Sequence, residues 1–308
     1  MDVVLHIGVH RTGTTTVQRV MGASRETLVA GRIAYWGPKR LRGGLFQGLS
    51  DDPSQMLPWQ ARRRRRMAGR IKLAMETHRQ EGMRTLLVSE ENIAGMLRPN
   101  LTRQSLYPDV DTRLARLAEA FGNRCIRVAI GIRCYDRYWS SALAFALARG
   151  GPPPTSQMCG ALVAQPRRWR DLVHAAAQAF PQAEIVVWTH EALAARPEQQ
   201  VAALLGGPAP RLKAIRDWHN ASPTPGALRE VMMDRGEDPG LISEMSGKFM
   251  PFTALQRAAL RCQYAEDLGW LRGGADGLAR YIDDPATDWG ATGQGRGHLN
   301  DGEHRRLA

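Results

Sequence analysis

The sequence predicts an α/β fold, three layers deep, with a central parallel sheet flanked by helices. Three observations carry that expectation. Short, nearly continuous apolar runs rich in β-branched residues occur at residues 3–9, 85–89, 126–132 and 184–189, and they read as strands buried on both faces. Segments with helical spacing of apolar residues separate the runs, so each strand returns parallel to the last through a right-handed crossover. Polar or glycine-punctuated loops follow the strand ends, where open α/β sheets bind their ligands.

The first run stops abruptly at the stretch Gly8 to Gly13. From Thr14 the spacing of Val17, Val20, Met21 and Leu28 predicts a helix, with a threonine hydroxyl available to cap its first turn. Strand, loop and helix in this order gather unpaired backbone N–H groups and the positive end of a helix dipole, which makes an anion site suited to phosphate. Gly8 and Gly13 have the spacing of the nucleoside-triphosphate loop G-x-x-x-x-G-K-[ST]. Thr14, however, stands where that loop needs its lysine, and the cation comes earlier, at Arg11 beside His10. This departure argues against ordinary ATP or GTP hydrolysis.

Residues 31–58 read as a loop-rich stretch containing Tyr35, Trp36, Gly37 and Pro38, which either shapes a pocket or merely connects. Residues 62–80 read as a helix whose five consecutive arginines, Arg62 to Arg66, spread around all its faces, either as a solvated helix or as a docking surface. The strand at 85–89 ends in Ser89-Glu90-Glu91-Asn92, placing carboxylates beside the ligand crevice or at the cap of the next helix. The strand at 126–132 runs into Arg133 and a helix continuing through Leu147. Arg133 and Ser141, an R-x7-S pair, can there converge on one anion, with bidentate geometry available from the guanidinium.

Pro152, Pro153 and Pro154 mark a loop before a helix around residues 169–180, and the strand at 184–189 leads to Glu191 and a helix through Leu205. Later helices are expected from Ala227 and over 255–271. Beyond Asp283 apolar residues thin out, so 1–284 reads as one domain and 285–308 as a polar, disordered tail.

The net charge of +12 is uneven, the arginine run supplying five of those charges. A basic surface suits a polyanionic cofactor or acceptor. Only 6% of residues are aromatic and no nucleic-acid motif is evident, so nucleic acid is not the expected partner. Cys125, Cys134, Cys159 and Cys262 form no C-x-x-C pair and no Cys/His cluster, so no metal is expected. No run approaches the ~18–20 apolar residues of a membrane span, and Asp2 with the glycine loop spoils a signal peptide, so the expected location is cytoplasmic. Oligomeric state cannot be read here.

His10-Arg11-Thr12-Gly13-Thr14-Thr15-Thr16-Val17-Gln18 resembles the 5′-phosphosulfate loop, H-K-T-G-T-T-x-L-Q, of the sulfotransferases that use 3′-phosphoadenosine 5′-phosphosulfate, with arginine for lysine. The R-x7-S pair after a strand resembles that family's 3′-phosphate element. Further likenesses are Ser89-Glu90-Glu91-Asn92 to its S-S-E-N segment, the stretch around Glu191 to V-V-x-Y-E-x-L, Asn220-Ala221-Ser222 to its N-x-S turn, and Tyr264-Ala265-Glu266-Asp267-Leu268 to its Y-x-x-D-L end.

The resemblance implies a P-loop-like sulfotransferase fold and sulfuryl transfer to an acceptor hydroxyl, such as that of a carbohydrate or glycolipid, with the phosphosulfate nucleotide as co-substrate. It implies that Arg11 meets the phosphosulfate, that Thr12, Gly13, Thr14, Thr15 and Thr16 hold the 5′-phosphate, and that Arg133 and Ser141 hold the 3′-phosphate. His10 or Glu90 would serve as base, with Glu91 the remaining carboxylate. Two other classes stay open: a P-loop-type nucleotide kinase, and a non-catalytic polyanion-binding protein.

Overall fold

A computed structural model describes residues 1–46, 48–49, 58–213, 222–242 and 247–283. Six strands form one all-parallel sheet: β1 (Asp2–Gly8), β2 (Ile33–Trp36), β3 (Thr85–Ser89), β4 (Cys125–Ile132), β5 (Glu184–Thr189) and β6 (Arg280–Ile282). Their spatial order is β2-β3-β1-β4-β5-β6. After β1 the chain works along one half of the sheet, and after β3 it crosses to build the other half beyond β4. The direction of winding therefore reverses beside β1, and ligand crevices open at the carboxyl ends of strands at such a reversal.

Alternation along β1 creates the layers. Val3, Leu5 and Ile7 face the helices Pro58–Gln80 and Val110–Phe121, meeting Met67, Ile71 and Met75 of the first and Leu114 and Leu117 of the second. Val4 faces the other way, toward Val17 and Met21 of the helix Thr14–Ala23 and Val201 and Leu204 of Pro197–Leu205. Full burial of such a side chain contributes about 1.5–3 kcal/mol, so these two cores fix the sheet between its helices. The expected three-layer α/β architecture is the one observed.

Two strands were not visible in the sequence. Residues 33–36, inside the stretch expected to be loop, form β2 along β3 and bury Tyr35 and Trp36. Glycines and prolines on both sides hid a run of only four residues. The three-residue β6 is shorter still. A helix at Ser156–Ala164 was also unforeseen between the proline loop and Trp169. The arginine run lies in Pro58–Gln80, with Arg62, Arg65 and Arg66 exposed. Residues 47 and 50–57 of the loop-rich stretch, residues 219–221 of the N-x-S turn, and the expected tail at 285–308 lie outside the described residues.

A buried polar knot ties the long helix Ala254–Arg272 to the helices Tyr135–Leu147 and Trp169–Ala179. Asp267, fully buried, accepts from Tyr135 Oη at 2.6 Å, Trp169 N at 3.1 Å and Arg170 Nε at 2.8 Å. Glu191 accepts from Tyr264 Oη at 3.0 Å and from Cys134 N at 3.1 Å, so its role is to brace the loop after β4. The donors named here each meet a carboxylate oxygen, which is what makes the buried Asp267 tolerable inside a core.

Candidate nucleotide site

The loop between β1 and the Thr14–Ala23 helix is curled by two left-handed residues, Arg11 at φ 66° and Gly13 at φ 84°. Gly13 takes that conformation without steric cost, whereas Arg11 is held in it against its preference. Gly13 is also the residue that caps the helix, and it does so with no side-chain hydrogen bond. The expected threonine cap is therefore absent; Thr16 N donates to Gly13 O at 3.0 Å, and the positive end of the helix dipole favours an anion beside this turn. Thr12 Oγ1 instead donates to Val9 O at 2.6 Å and lies 3.3 Å from Thr14 Oγ1, so that hydroxyl holds the loop together. Gly8 is needed because a Cβ there would collide with the Thr14 side chain.

Beside this loop opens a cavity of about 430 Å³. It gathers residues from distant parts of the sequence: His10, Arg11, Gly13, Thr14, Thr15 and Thr16 from the loop, and Arg133 and Ser141 from the end of β4 and the helix Tyr135–Leu147. Arg42, Arg137, Arg149 and Lys248 also line it, giving six cationic side chains among the described residues against the single carboxylate of Glu91. Burial, with Arg133 and Arg149 nearby, pushes Arg11 down to about 10, and burial likewise lowers Arg133. Both stay protonated at neutral pH, and a concentration of like charges in a partly dry cleft is relieved by a bound anion.

Individual side chains refine the expectations. Arg11 Nε donates to Ser141 Oγ at 2.7 Å and its Nη2 to Ser222 Oγ at 3.1 Å, while the guanidinium lies 5.2 Å from the Phe145 ring centre. The cation expected at the phosphosulfate thus lies with the hydroxyl expected at the 3′-phosphate. Arg133 Nη1 donates to Arg11 O at 2.6 Å, and its Nε is buried without a hydrogen-bond partner. An orphaned buried guanidinium N–H is costly unless a ligand accepts from it.

The base candidates differ sharply. Glu90 is 2% exposed and does not line the cavity: Arg42 grips it at 2.9 and 2.7 Å, and Asn92 N donates to it at 3.0 Å. Glu91 lines the cavity but is held by Arg42 at 2.7 Å and Gln18 at 3.0 Å; burial pushes its carboxyl up, and these partners outweigh that and lower it. His10 Nδ1 lies 2.9 Å from Tyr107 Oη, and its Nε2 lies 3.1 Å from Asn92 Oδ1. Burial lowers its pKa below the ordinary 6.5, against the opposing pull of Glu91 and Asn92, so the ring is neutral at physiological pH.

Sequence reasoning missed His190. The segment after β5 was read for Glu191, yet the neighbouring imidazole lines the cavity and packs against Gly13, with Nδ1 buried and unpartnered. Burial, then Arg133, lowers its pKa. Arg149 and Lys248 were missed as well; isolated cations outside any motif leave no signal of their own. Ser222, read only as part of a turn, proves to touch Arg11 and Ser141.

No family model, curated protein or solved structure matches this chain. No helix among the described residues is long and apolar enough to cross a membrane, and no group of three or more His, Cys, Asp or Glu side chains among them is placed to hold a metal ion.

Proposed function

We propose that the protein is a sulfotransferase that moves a sulfuryl group from 3′-phosphoadenosine 5′-phosphosulfate to an acceptor hydroxyl. The observation that carries the reading is the convergence, in one cation-rich cavity, of the loop around Arg11 with Arg133 and Ser141, which stand far apart in the chain. Anion-binding groups drawn from two distant parts of the chain into one cleft suit a nucleotide with phosphates at two positions. The orphaned Arg133 Nε supplies a donor that such a ligand would satisfy, and the positive end of the Thr14–Ala23 helix favours its charge.

In the transfer, the acceptor oxygen forms a bond to sulfur as the bond from sulfur to the 5′-phosphate oxygen breaks. The products are a sulfate ester, the 3′,5′-bisphosphate and the acceptor's proton. This chain's residues do three things for that exchange. Arg11 and the positive end of the Thr14–Ala23 helix stabilise the charge that builds on the leaving oxygens. Arg133 and Ser141 anchor the far phosphate, so that the reacting end keeps its alignment. His10, neutral and cavity-lining, donates from Nε2–H to Asn92 Oδ1 in the ligand-free site; it becomes the base when the ring proton sits on Nδ1 and is donated to Tyr107 Oη, which leaves the Nε2 lone pair to take the proton of the acceptor hydroxyl. Glu90, expected as the alternative base, acts through Arg42 as a support of the wall.

Calorimetric titration with 3′-phosphoadenosine 5′-phosphate, ADP, and ATP with magnesium tests the reading. Preference for the bisphosphate is expected. Preference for ATP with magnesium would point to a kinase, and binding of none of the three would leave a polyanion-binding role.

A further inference from the structure

A second cavity, of about 290 Å³, adjoins the first at Arg42, which lines both. Its charged and polar walls are Arg42, Arg63, Arg113, Glu90 and Asn92, and apolar side chains such as Phe46 and Met96 complete it. We propose that this cavity is the acceptor subsite and that it takes a hydroxyl compound bearing its own anionic group, an acidic sugar. The proposal rests on the reading of the first cavity as the nucleotide site.

Position comes first. Asn92 belongs to the second cavity, and its side chain is the contact of His10 Nε2. Asn92 therefore joins the proposed base to the wall of the second cavity. An acceptor seated there lies one side chain away from the base.

Charge decides the class. Three guanidinium groups line the space against one carboxylate, and Glu90 is already spent on Arg42 at 2.9 and 2.7 Å. Arg113, 6% exposed, directs its N–H groups to the carbonyl oxygens of Ile93, Leu49 and Asn92 at 3.1, 2.9 and 2.6 Å. Carbonyls satisfy the donors without cancelling the charge, so the cavity keeps a positive excess that a neutral sugar would leave unanswered. Arg63 belongs to the arginine run, and Arg66, exposed and three residues on, neighbours it on the same face of the helix, so an acidic chain leaving the cavity meets a further cation. Phe46 and Met96 offer apolar surface to a ring face.

The test uses the full chain saturated with 3′-phosphoadenosine 5′-phosphate. It is titrated with a tetrasaccharide of alternating glucuronate and N-acetylglucosamine, with the neutral all-N-acetylglucosamine tetrasaccharide, and with a single-stranded oligonucleotide. The expected result is that the acidic sugar binds at least about tenfold tighter than the neutral one, as one charge-assisted contact would give. Arg63→Gln should weaken the acidic sugar about threefold or more and leave bisphosphate affinity unchanged. Equal affinity for the two sugars, indifference to Arg63→Gln, or tighter binding of the oligonucleotide than of the acidic sugar would each overturn the proposal. Absence of bisphosphate binding in the first step would instead overturn the reading on which it rests.

Discussion

His10 and His190 share one cavity but face opposite demands. His10 must be neutral to accept a proton, and burial, which disfavours the charged ring, lowers its pKa below 6.5. The acid limb of kcat/KM is therefore expected below pH 6.5, with the rate flat from there to neutrality. His10→Ala should abolish turnover with little change in bisphosphate affinity, and retained turnover in that variant would exclude His10 as base. His190 is neutral in the ligand-free cavity because burial and Arg133 both oppose its charge. A bound phosphate reverses the local sign of the field, so its pKa rises and binding draws in a proton. Affinity should accordingly increase as pH falls toward 6. Calorimetry in two buffers of different ionisation enthalpy measures the uptake; because a phosphate monoester itself titrates near 6, the decisive quantity is the part of the uptake lost in His190→Gln. No loss would remove His190 from the linkage.

Among the elements, the unit of β1, loop and Thr14–Ala23 helix was the most legible. Its strand is an apolar run, its breaks are glycines, and its missing lysine separates it from the triphosphate loop in the sequence alone. What the motif concealed was the division of labour among its threonines: Thr12 serves the loop, and Gly13 caps the helix. Strands β2 and β6 were illegible for a different reason, since runs of four and three residues carry almost no periodicity and acquire their strand character from pairing with β3 and β5. The Ala254–Arg272 helix was read correctly as amphipathic, but its buried Asp267 only makes sense once Tyr135, Trp169 and Arg170 surround it. Breaking such a buried, charge-paired site costs about 3–5 kcal/mol. Asp267→Ala should therefore lower the urea midpoint strongly. Arg170→Lys should cost much less, because it keeps a cation beside the fully buried Asp267, which retains its Tyr135 and Trp169 bonds. Equal losses for the two variants would contradict this division.

For the whole molecule, the sheet order explains how residues from opposite halves of the fold meet. Loops leave β1 and β4 side by side at the reversal of winding, bringing Arg11 and Arg133 together, and β3 contributes Glu90 and Asn92 from the neighbouring strand. The R-x7-S spacing foretold one pair of this assembly. It could not foretell the accumulation of Arg137, Arg149, Lys248 and His190, because that is a property of tertiary packing, written in no single segment. Nor could it show that Arg42 spans two cavities, since the arginine lies in a stretch that reads only as a loop. The central claim is that this convergence recognises a nucleotide by its 3′-phosphate. Its most direct measurement compares wild type and Arg133→Ala for binding of 3′-phosphoadenosine 5′-phosphate and of adenosine 5′-phosphate. A lost charge-assisted hydrogen bond of about 1.5–3 kcal/mol should weaken the bisphosphate by roughly ten- to a hundredfold and leave the monophosphate nearly unchanged. Equal losses for both nucleotides would contradict the claim.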